Sequence, residues 1–397
     1  MEILTDKIRG CLVGGAIGDA LGYSVEFMTY PSIIRQYGSD GITSFTLEDN
    51  LTLFSDDTQM TLFTANGLLN GIVRNNFLHQ QSSLIDNIGN AYIDWYKTQL
   101  RQNYRIPENE RNCWISDIPQ LYALRAPGNT CLTAIQQRIN GSKVENNSKG
   151  CGGIMRIAPI ALAFGKYPSE NAQEIFNYQA NIIHLACEAA RLTHLHPLGF
   201  LPAGLMAFLL YKILHSPDAI TPQWIKSTVF EGLWYLDNTV DSVRGVTYKQ
   251  LYHKELDELN IITLRTVKLA EEADNDADAI KKLGQGWTAD EAWYIALYCC
   301  IRHLDSVHDA IIAAVNHDGD SDSTGAIAGN IMGAIHGYQS IKSQNLFCPA
   351  GHKLETTLEL LNVILTISDD LAIVQNTGQL TEPEILRLLE RYSPSNH

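Results

Sequence analysis

The 397-residue chain has no run rich in Lys and Arg, no Cys-x-x-Cys pair, no His-Glu-x-x-His and almost no strand-like alternation, and only 18% of its residues are charged. Each absence removes a class of function. With 29 Lys and Arg against 44 Asp and Glu, the formal charge is -15, which opposes broad attraction to a phosphate backbone. No nucleic-acid partner is expected. The eight cysteines (Cys11, Cys113, Cys131, Cys151, Cys187, Cys299, Cys300 and Cys348) show no zinc spacing and read as reduced, mostly buried thiols of a cytoplasmic protein. Lys7 and Arg9 precede an apolar run, but Glu2, Asp6 and Asp19 break the pattern of a signal peptide. Residues 198–214 are apolar, yet short for a span and interrupted by Pro202 and Lys212, so they read as a buried helix and no membrane association is expected. Without an internal repeat or a convincing linker, one all-α domain covering residues 1–397 is expected, and the protein should be a monomer.

What is present converges on two acidic loops. Asn316-His317-Asp318-Gly319-Asp320-Ser321-Asp322-Ser323-Thr324-Gly325 precedes a helical pattern rich in small residues, Ala326-Ile327-Ala328-Gly329-Asn330-Ile331-Met332-Gly333. Three carboxylates at alternate positions make a set of hard oxygen ligands. On extended backbone, Asp320 and Asp322 would share one side, with Ser323 or Thr324 capping the helix. A solvated acidic turn is the plain alternative. A helix-loop-helix calcium site is excluded, because its template needs Gly and Glu where this chain has Ser323 and Gly329. Far upstream, Ser55-Asp56-Asp57-Thr58-Gln59-Met60 also sets paired carboxylates and hydroxyls just before a helical pattern. Two such loops facing one cavity would hold a divalent cation.

The other motifs are individually weaker. Gly14, Gly15, Gly18 and Gly22 recur near helical spacing and let another helix backbone come close, although each weakens its own helix by roughly 1 kcal/mol relative to Ala. No strand precedes them, so they are not a dinucleotide fingerprint. Asp19 and Glu26, seven residues apart, share a helix face and can point into a polar site. Gly150-Cys151-Gly152-Gly153-Ile154-Met155-Arg156 frees the backbone to present amides to a phosphate, or serves a tight helix-helix turn. His194 and His196 close a helix, where histidine commonly meets the dipole or the last carbonyls; His194 is also a candidate to bond a sugar hydroxyl. Residues 284–292 start a helix with Thr288 as N-cap and Glu291 completing a capping box.

Taken in this order, the Gly-Gly-Ala-Ile-Gly-Asp-Ala-Leu-Gly opening with Glu26, the loop at Ser55, the Gly-rich loop, Thr193-His194, residues 284–292 and the loop at Asp320 resemble the ADP-ribosylglycohydrolase family. The likeness is to the dinitrogenase reductase-activating glycohydrolase and ADP-ribosylarginine hydrolase type and covers almost the full chain. It implies a compact all-α, single-domain orthogonal helical bundle with a dinuclear Mg2+ or Mn2+ site. By position it implies metal ligands at Ser55, Asp56, Asp57, Asp320, Asp322 and Ser323. It implies substrate contacts at Gly150, Cys151, Gly152, Gly153 and Met155 for the diphosphate, with His194 near a ribose and Asn129 also in contact. The catalytic carboxylates would be Asp56, Asp57 and Glu26, the last matching an acid that sits by the scissile bond in the serine-directed branch. There are departures from the family pattern. Thr is usual where Ser55 and Ser323 stand, and serine holds χ1 less firmly; an acid is also missing near Pro127.

The resemblance further implies hydrolysis of ADP-ribose from a modified protein side chain, with free ADP-ribose as product. Glycosidic cleavage passes through an oxocarbenium-like state and commonly uses two carboxyl groups, while two metals about 3.5 to 4 Å apart can orient and acidify a water. Residues 125–131, the loop at His317 and the Gly-Gln-Gly-Trp segment look closer to the arginine-directed branch than to the serine-directed one. N-linked arginine is the expected linkage. The alternatives are an O-linked (serine or O-acetyl) ADP-ribose hydrolase, a non-catalytic ADP-ribose-binding relative and a magnesium-dependent phosphohydrolase.

Overall fold

The computed structural model describes residues 2–100, 105–375 and 380–393. Among them the regular elements are α-helices and short 3-10 turns, joined by loops with four isolated β-bridges and no strand. The all-α expectation therefore holds for the described residues. Local sequence explains many of the helix starts. Pro197 and Pro222 occupy first-turn positions, where a missing N–H loses no hydrogen bond. Asn171, Thr221 and Ser306 accept backbone N–H groups as N-caps.

The centre of the molecule is the crossing of two glycine-faced helices, Glu2–Tyr23 and Ser321–His336. A Cβ built on Gly14 would stand 2.2 Å from the Gly329 carbonyl oxygen, and one on Gly329 would stand 2.0 Å from that of Gly14. Gly10 meets Gly333 and Gly18 meets Gly325 in the same way, so the helices run antiparallel with their backbones touching. The predicted close approach is thus made by a partner helix that carries glycines of its own. At the end of the crossing, Gly22 lies against Ser321, which brings Asp19 and Glu26 to the mouth of the second acidic loop.

Around this pair the other helices bury their apolar faces in one continuous cluster, running from Ile8 to Tyr392. Asp56–Asn76 packs on Leu84–Leu100, and Ala172–Arg191 packs on Pro197–His215. Pro197–His215 is long and apolar enough to cross a membrane by length and composition, but 89% of its apolar window is buried inside the protein, as the sequence reading expected. Two local expectations fail. His194 and His196 do not close a helix: the preceding one ends at Arg191, and His196 instead caps the next, its Nδ1 accepting the Leu198 N–H at 3.0 Å. Thr288 precedes the helix Ala289–Arg302 without making a side-chain cap bond, and Glu291 accepts the Gln285 N–H at 3.1 Å instead of completing a capping box.

In an exposed helix, Gly→Ala stabilises by roughly 1 kcal/mol. At Gly14 the added methyl meets backbone, which cannot rotate away, so an overpacking cost of about 1–3 kcal/mol or more opposes that gain. Gly14→Ala and Gly329→Ala should each lower the urea midpoint of unfolding. A variant as stable as the wild type would show that the two helices are free to move apart.

Candidate functional site

The two acidic loops open their helices at one place. Ser55 caps Asp56–Asn76, its Oγ accepting the Asp57 N–H at 3.2 Å. Asp320 caps Ser321–His336, its Oδ1 accepting the Ser323 N–H at 3.3 Å, and Asp322 accepts the same N–H at 2.9 Å. Helix N-termini carry partial positive charge, so both loops put acids where the backbone stabilises them. This corrects the sequence expectation on three points. Asp322 is helical rather than extended. Neither Ser323 nor Thr324 is the cap; the Thr324 hydroxyl donates to the Ala314 carbonyl at 2.7 Å because Asp320 already fills that role. Asp318 turns away to accept the Tyr30 N–H at 2.6 Å.

Several residues hold these loops in place, and sequence reasoning caught few of them. Asp19, read only as an acid facing a polar site, accepts the Ser55 N–H at 2.8 Å, the Thr58 N–H at 2.9 Å and the Thr58 hydroxyl at 2.5 Å. It positions the first loop. The Asp56 N–H donates to the Arg125 carbonyl at 3.0 Å. The Arg125 guanidinium donates to both Glu359 oxygens, at 2.8 and 3.1 Å, and to the Phe54 carbonyl at 2.9 Å. Arg125 and Glu359 lie 234 residues apart, so no local signal could have paired them. The second loop is tied down by the Asp320 N–H, which donates to the Gln285 carbonyl at 2.8 Å.

Between the loops lies a cavity of about 380 Å³. Of the expected ligands, Asp56, Asp57, Asp320, Asp322 and Ser323 line it, with Glu26 beside them. Ser55 lies behind the wall, fully buried. The cavity also receives Asn129, Gly150, Cys151, Gly152, Met155 and His194, whereas Gly153 is withdrawn against the Gly199 carbonyl. Pro127 lines the wall where an acid is missing. A larger groove of 660 Å³ at Asn75 and residues 79–83 offers amides, hydroxyls and one imidazole but no carboxylate or thiol, so size alone does not locate chemistry. The glycine loop is less open than its composition suggests. Its Cys151 N–H donates to the Trp287 carbonyl at 3.2 Å and its Gly150 N–H to the Ser148 hydroxyl at 3.2 Å, leaving fewer amides for a phosphate.

Electrostatically, the cavity is short of positive charge, with no Lys or Arg in its lining. Burial, followed by the Asp322 charge, raises the pKa of Asp56, Asp57 and Asp320 well above the usual carboxylate range. The same two causes bring Asp19 up to about 7. Burial, then Asp322, Asp320 and Asp56, carry Glu26 up to about 10. The Cys151 thiol donates to Asp320 Oδ2 at 2.7 Å. Glu26 Oε2 and Asp57 Oδ2 are buried without a hydrogen-bond partner. Among the described residues, no three His, Cys, Asp or Glu side chains already surround one ion-sized point. The donor set is nonetheless hard, oxygen-rich and deficient in cations, which suits Mg2+ or Mn2+.

His194 differs in kind. Burial, and then the nearby Arg156 charge, lowers its pKa to about 3, so its imidazole is neutral. Arg156, fully buried, donates to the Thr193 hydroxyl at 2.6 Å, and that hydroxyl lies 2.8 Å from His194 Nδ1. The threonine hydroxyl also reaches the Ala190 carbonyl at 3.4 Å, so the contact with Nδ1 accommodates either neutral tautomer, including the one with its N–H on Nε2. Positions for a Cβ on Gly150 and Gly152 lie only 3.1 Å from Nε2 and 3.0 Å from Cε1. The two glycines therefore make room for the ring beside the cavity.

The chain resembles known proteins over most of its length. The family model described as ADP-ribosylglycohydrolase matches residues 1–375. ADP-ribosylhydrolase ARH3 of Mus musculus is 24% identical, covering 84% of this chain and 85% of its own length. ADP-ribosylarginine hydrolase Tri1 of Serratia proteamaculans is also 24% identical, covering 85% of this chain and 73% of its own. A solved structure titled ADP-ribosylglycohydrolase-related protein complex shares the fold, with a TM-score of 0.57 and 19% identity over 96% of this chain and 100% of that one. With the family pattern matched from residue 1 to residue 375, the chain belongs to the ADP-ribosylglycohydrolase family of glycosidases.

Proposed function

We propose that the protein hydrolyses ADP-ribose from ADP-ribosylated protein side chains, with N-linked arginine as its preferred linkage. One observation carries the reading: both acidic loops, Glu26, the glycine loop and a neutral His194 meet in a single cavity. Asp56, Asp57, Asp320, Asp322 and Ser323 would hold two divalent cations, with Ser55 behind them accepting the Asp57 N–H. Such cations supply neutralisation of the buried acids, acidification of water and orientation of the sugar.

The protein's own groups then have distinct tasks. His194 donates from Nε2 to a ribose hydroxyl, and being neutral it does so without repelling a cationic leaving group. The glycine loop and Asn129 bind the ADP portion. Asp57, with Oδ2 unpartnered, accepts a proton from the attacking water, and Glu26 holds a proton at Oε2 for the leaving side. The dinitrogenase-reductase type has an acid near the position of Pro127; here Pro127 and Glu26 line the same cavity. The arginine preference is supported by the excess of carboxylates and by the likeness to the hydrolase named for ADP-ribosylarginine. The equal identity to an ARH3 protein leaves the choice of linkage to experiment.

With Mg2+ or Mn2+, the wild type should release free ADP-ribose from an arginine-ADP-ribosylated protein, and EDTA should stop it. Asp320→Ala should lose about 100-fold or more, corresponding to several kcal/mol of transition-state stabilisation. Consumption of serine-linked or O-acetyl-ADP-ribose with the arginine linkage intact would reverse the linkage; phosphate or AMP as product would mean a phosphohydrolase.

His194 also sets a pH dependence of stability. Its folded pKa of about 3 lies below the ordinary 6.5, so between these values the unfolded chain binds one more proton. Its contribution is complete above about pH 6.5 and is lost as pH falls toward 3, at about 1.4 kcal/mol per unit. Unfolding of His194→Gln, followed by denaturant titration from pH 6.5 to pH 4.5, should show a shallower acid dependence than wild type. Parallel curves would mean that His194 is already protonated in the folded state.

A further inference from the structure

Phe27 is the residue that the roles assigned so far leave unexplained. It is 70% exposed and its φ is 65°, a left-handed backbone that bulky residues rarely adopt. It closes a tight turn after the N-terminal helix, in which the Val25 and Glu26 N–H groups both donate to the Gly22 carbonyl, at 2.9 and 2.7 Å. The ring does not drift in solvent. It stacks on Trp287 with centroids 5.4 Å apart and planes inclined by 22°, and both rings line the acidic cavity.

Trp287 is rigidly mounted. Its carbonyl accepts the Cys151 N–H of the glycine loop. The preceding Gly286, at φ 83°, sits so close to the second acidic loop that a Cβ would meet the Thr324 methyl at 2.8 Å and the Asp320 carbonyl at 3.0 Å. Trp287 is thus fixed to both halves of the site, and Phe27 extends its surface from the residue next to Glu26.

We propose that the Phe27–Trp287 stack is the specificity surface for the leaving group, holding a planar guanidinium against the aromatic faces beside Glu26. The proposal rests on the arginine reading of this site and deepens it. The cavity lining carries five carboxylates and no Lys or Arg, so with two divalent cations and a protonated Glu26 its charges balance and no side-chain cation repels a guanidinium. A guanidinium is planar, permanently charged and weakly hydrated, and it stacks on aromatic rings. A serine hydroxyl or an acetyl group offers neither the charge nor the stacking area. Adenine could also stack on such rings, but it carries no charge for the acids to recognise.

The test compares wild type with Phe27→Ala, a substitution at an exposed side chain, on arginine-linked and O-linked ADP-ribose. For the arginine linkage, KM should rise about tenfold with little change in kcat. O-linked turnover should fall by no more than about twofold. Equal losses on both linkages, or an equal weakening of product inhibition by free ADP-ribose, would overturn the proposal in favour of a general wall or an adenine platform. No change in any constant would overturn it as well. Agmatine, a guanidinium without ADP-ribose, separates this from failure of the linkage reading. Its binding should alter a fluorescence signal that is missing in Trp287→Phe and weakened in Phe27→Ala. Such binding supports the clamp even where arginine-linked substrate is not cleaved; no agmatine binding to wild type would count against the clamp.

Discussion

Mutual repulsion among buried carboxylates is the constraint this molecule is built to contain. Asp19, Glu26, Asp56, Asp57, Asp320 and Asp322 come together in a low-dielectric region with no Lys or Arg in the cavity lining, and burial is the leading cause wherever their pKa values rise. The chain offsets this in ways that can be told apart. The Ser323 N–H, at the start of its helix, donates to both Asp320 and Asp322. The Gly128 N–H donates to Asp56 at 3.3 Å, and Asp19 is saturated by the loop it supports. What remains is left to protons or to cations, and Asp57 Oδ2 and Glu26 Oε2 mark where the compensation is incomplete.

Groups that repel one another stay in place only if their supports cannot yield. The glycine crossing provides that stiffness, because helices in backbone contact have no side chains between them to repack. It also sets the register. Moving the N-terminal helix by one turn along Ser321–His336 would shift Glu26 by about 5.4 Å and carry its carboxylate away from Asp322. The same glycines that weaken each helix in isolation thus decide which acids meet. Binding chemistry and helix packing are two consequences of one pattern, which explains why the spacing of Gly14, Gly18 and Gly22 bears on an acidic loop that opens the thirteenth α-helix after theirs.

That pattern was legible in sequence because its period matches the helix. So were the two acidic loops, since acids and hydroxyls immediately before a helical pattern have few structural uses. Less legible was which oxygen caps which N–H. Asp320 and Ser323 are both sound caps by composition, and the choice was settled by Gln285 holding the Asp320 backbone. Glu291 was read as half of a capping box but was claimed by Gln285, a competition that local rules do not see. The Arg125–Glu359 pair and the clamp role of Asp19 depend on neighbours brought together only by the fold. Phe27 was invisible for a different reason: its exposure and its left-handed backbone oppose its own propensity, and such conflicts tend to occur where a site requires them.

The segment from Gln285 to Ala289 gives the site its unity. Within five residues it bonds to both halves: Gln285 accepts the Asp320 N–H, Trp287 accepts the Cys151 N–H, and the Ala289 N–H donates to the Lys149 carbonyl at 2.8 Å. Cys151 closes the circuit through its thiol bond to Asp320. The acidic half and the glycine-loop half are therefore spanned by one short stretch of backbone, and neither can shift without straining it. On the proposed function, a substrate whose diphosphate rested on the glycine loop would have its ribose placed relative to the acids by this strap rather than by flexible side chains. For a reaction that depends on holding one C–N or C–O bond over fixed charges, positional accuracy of this kind is a direct contribution to rate, and Trp287 lies at its midpoint.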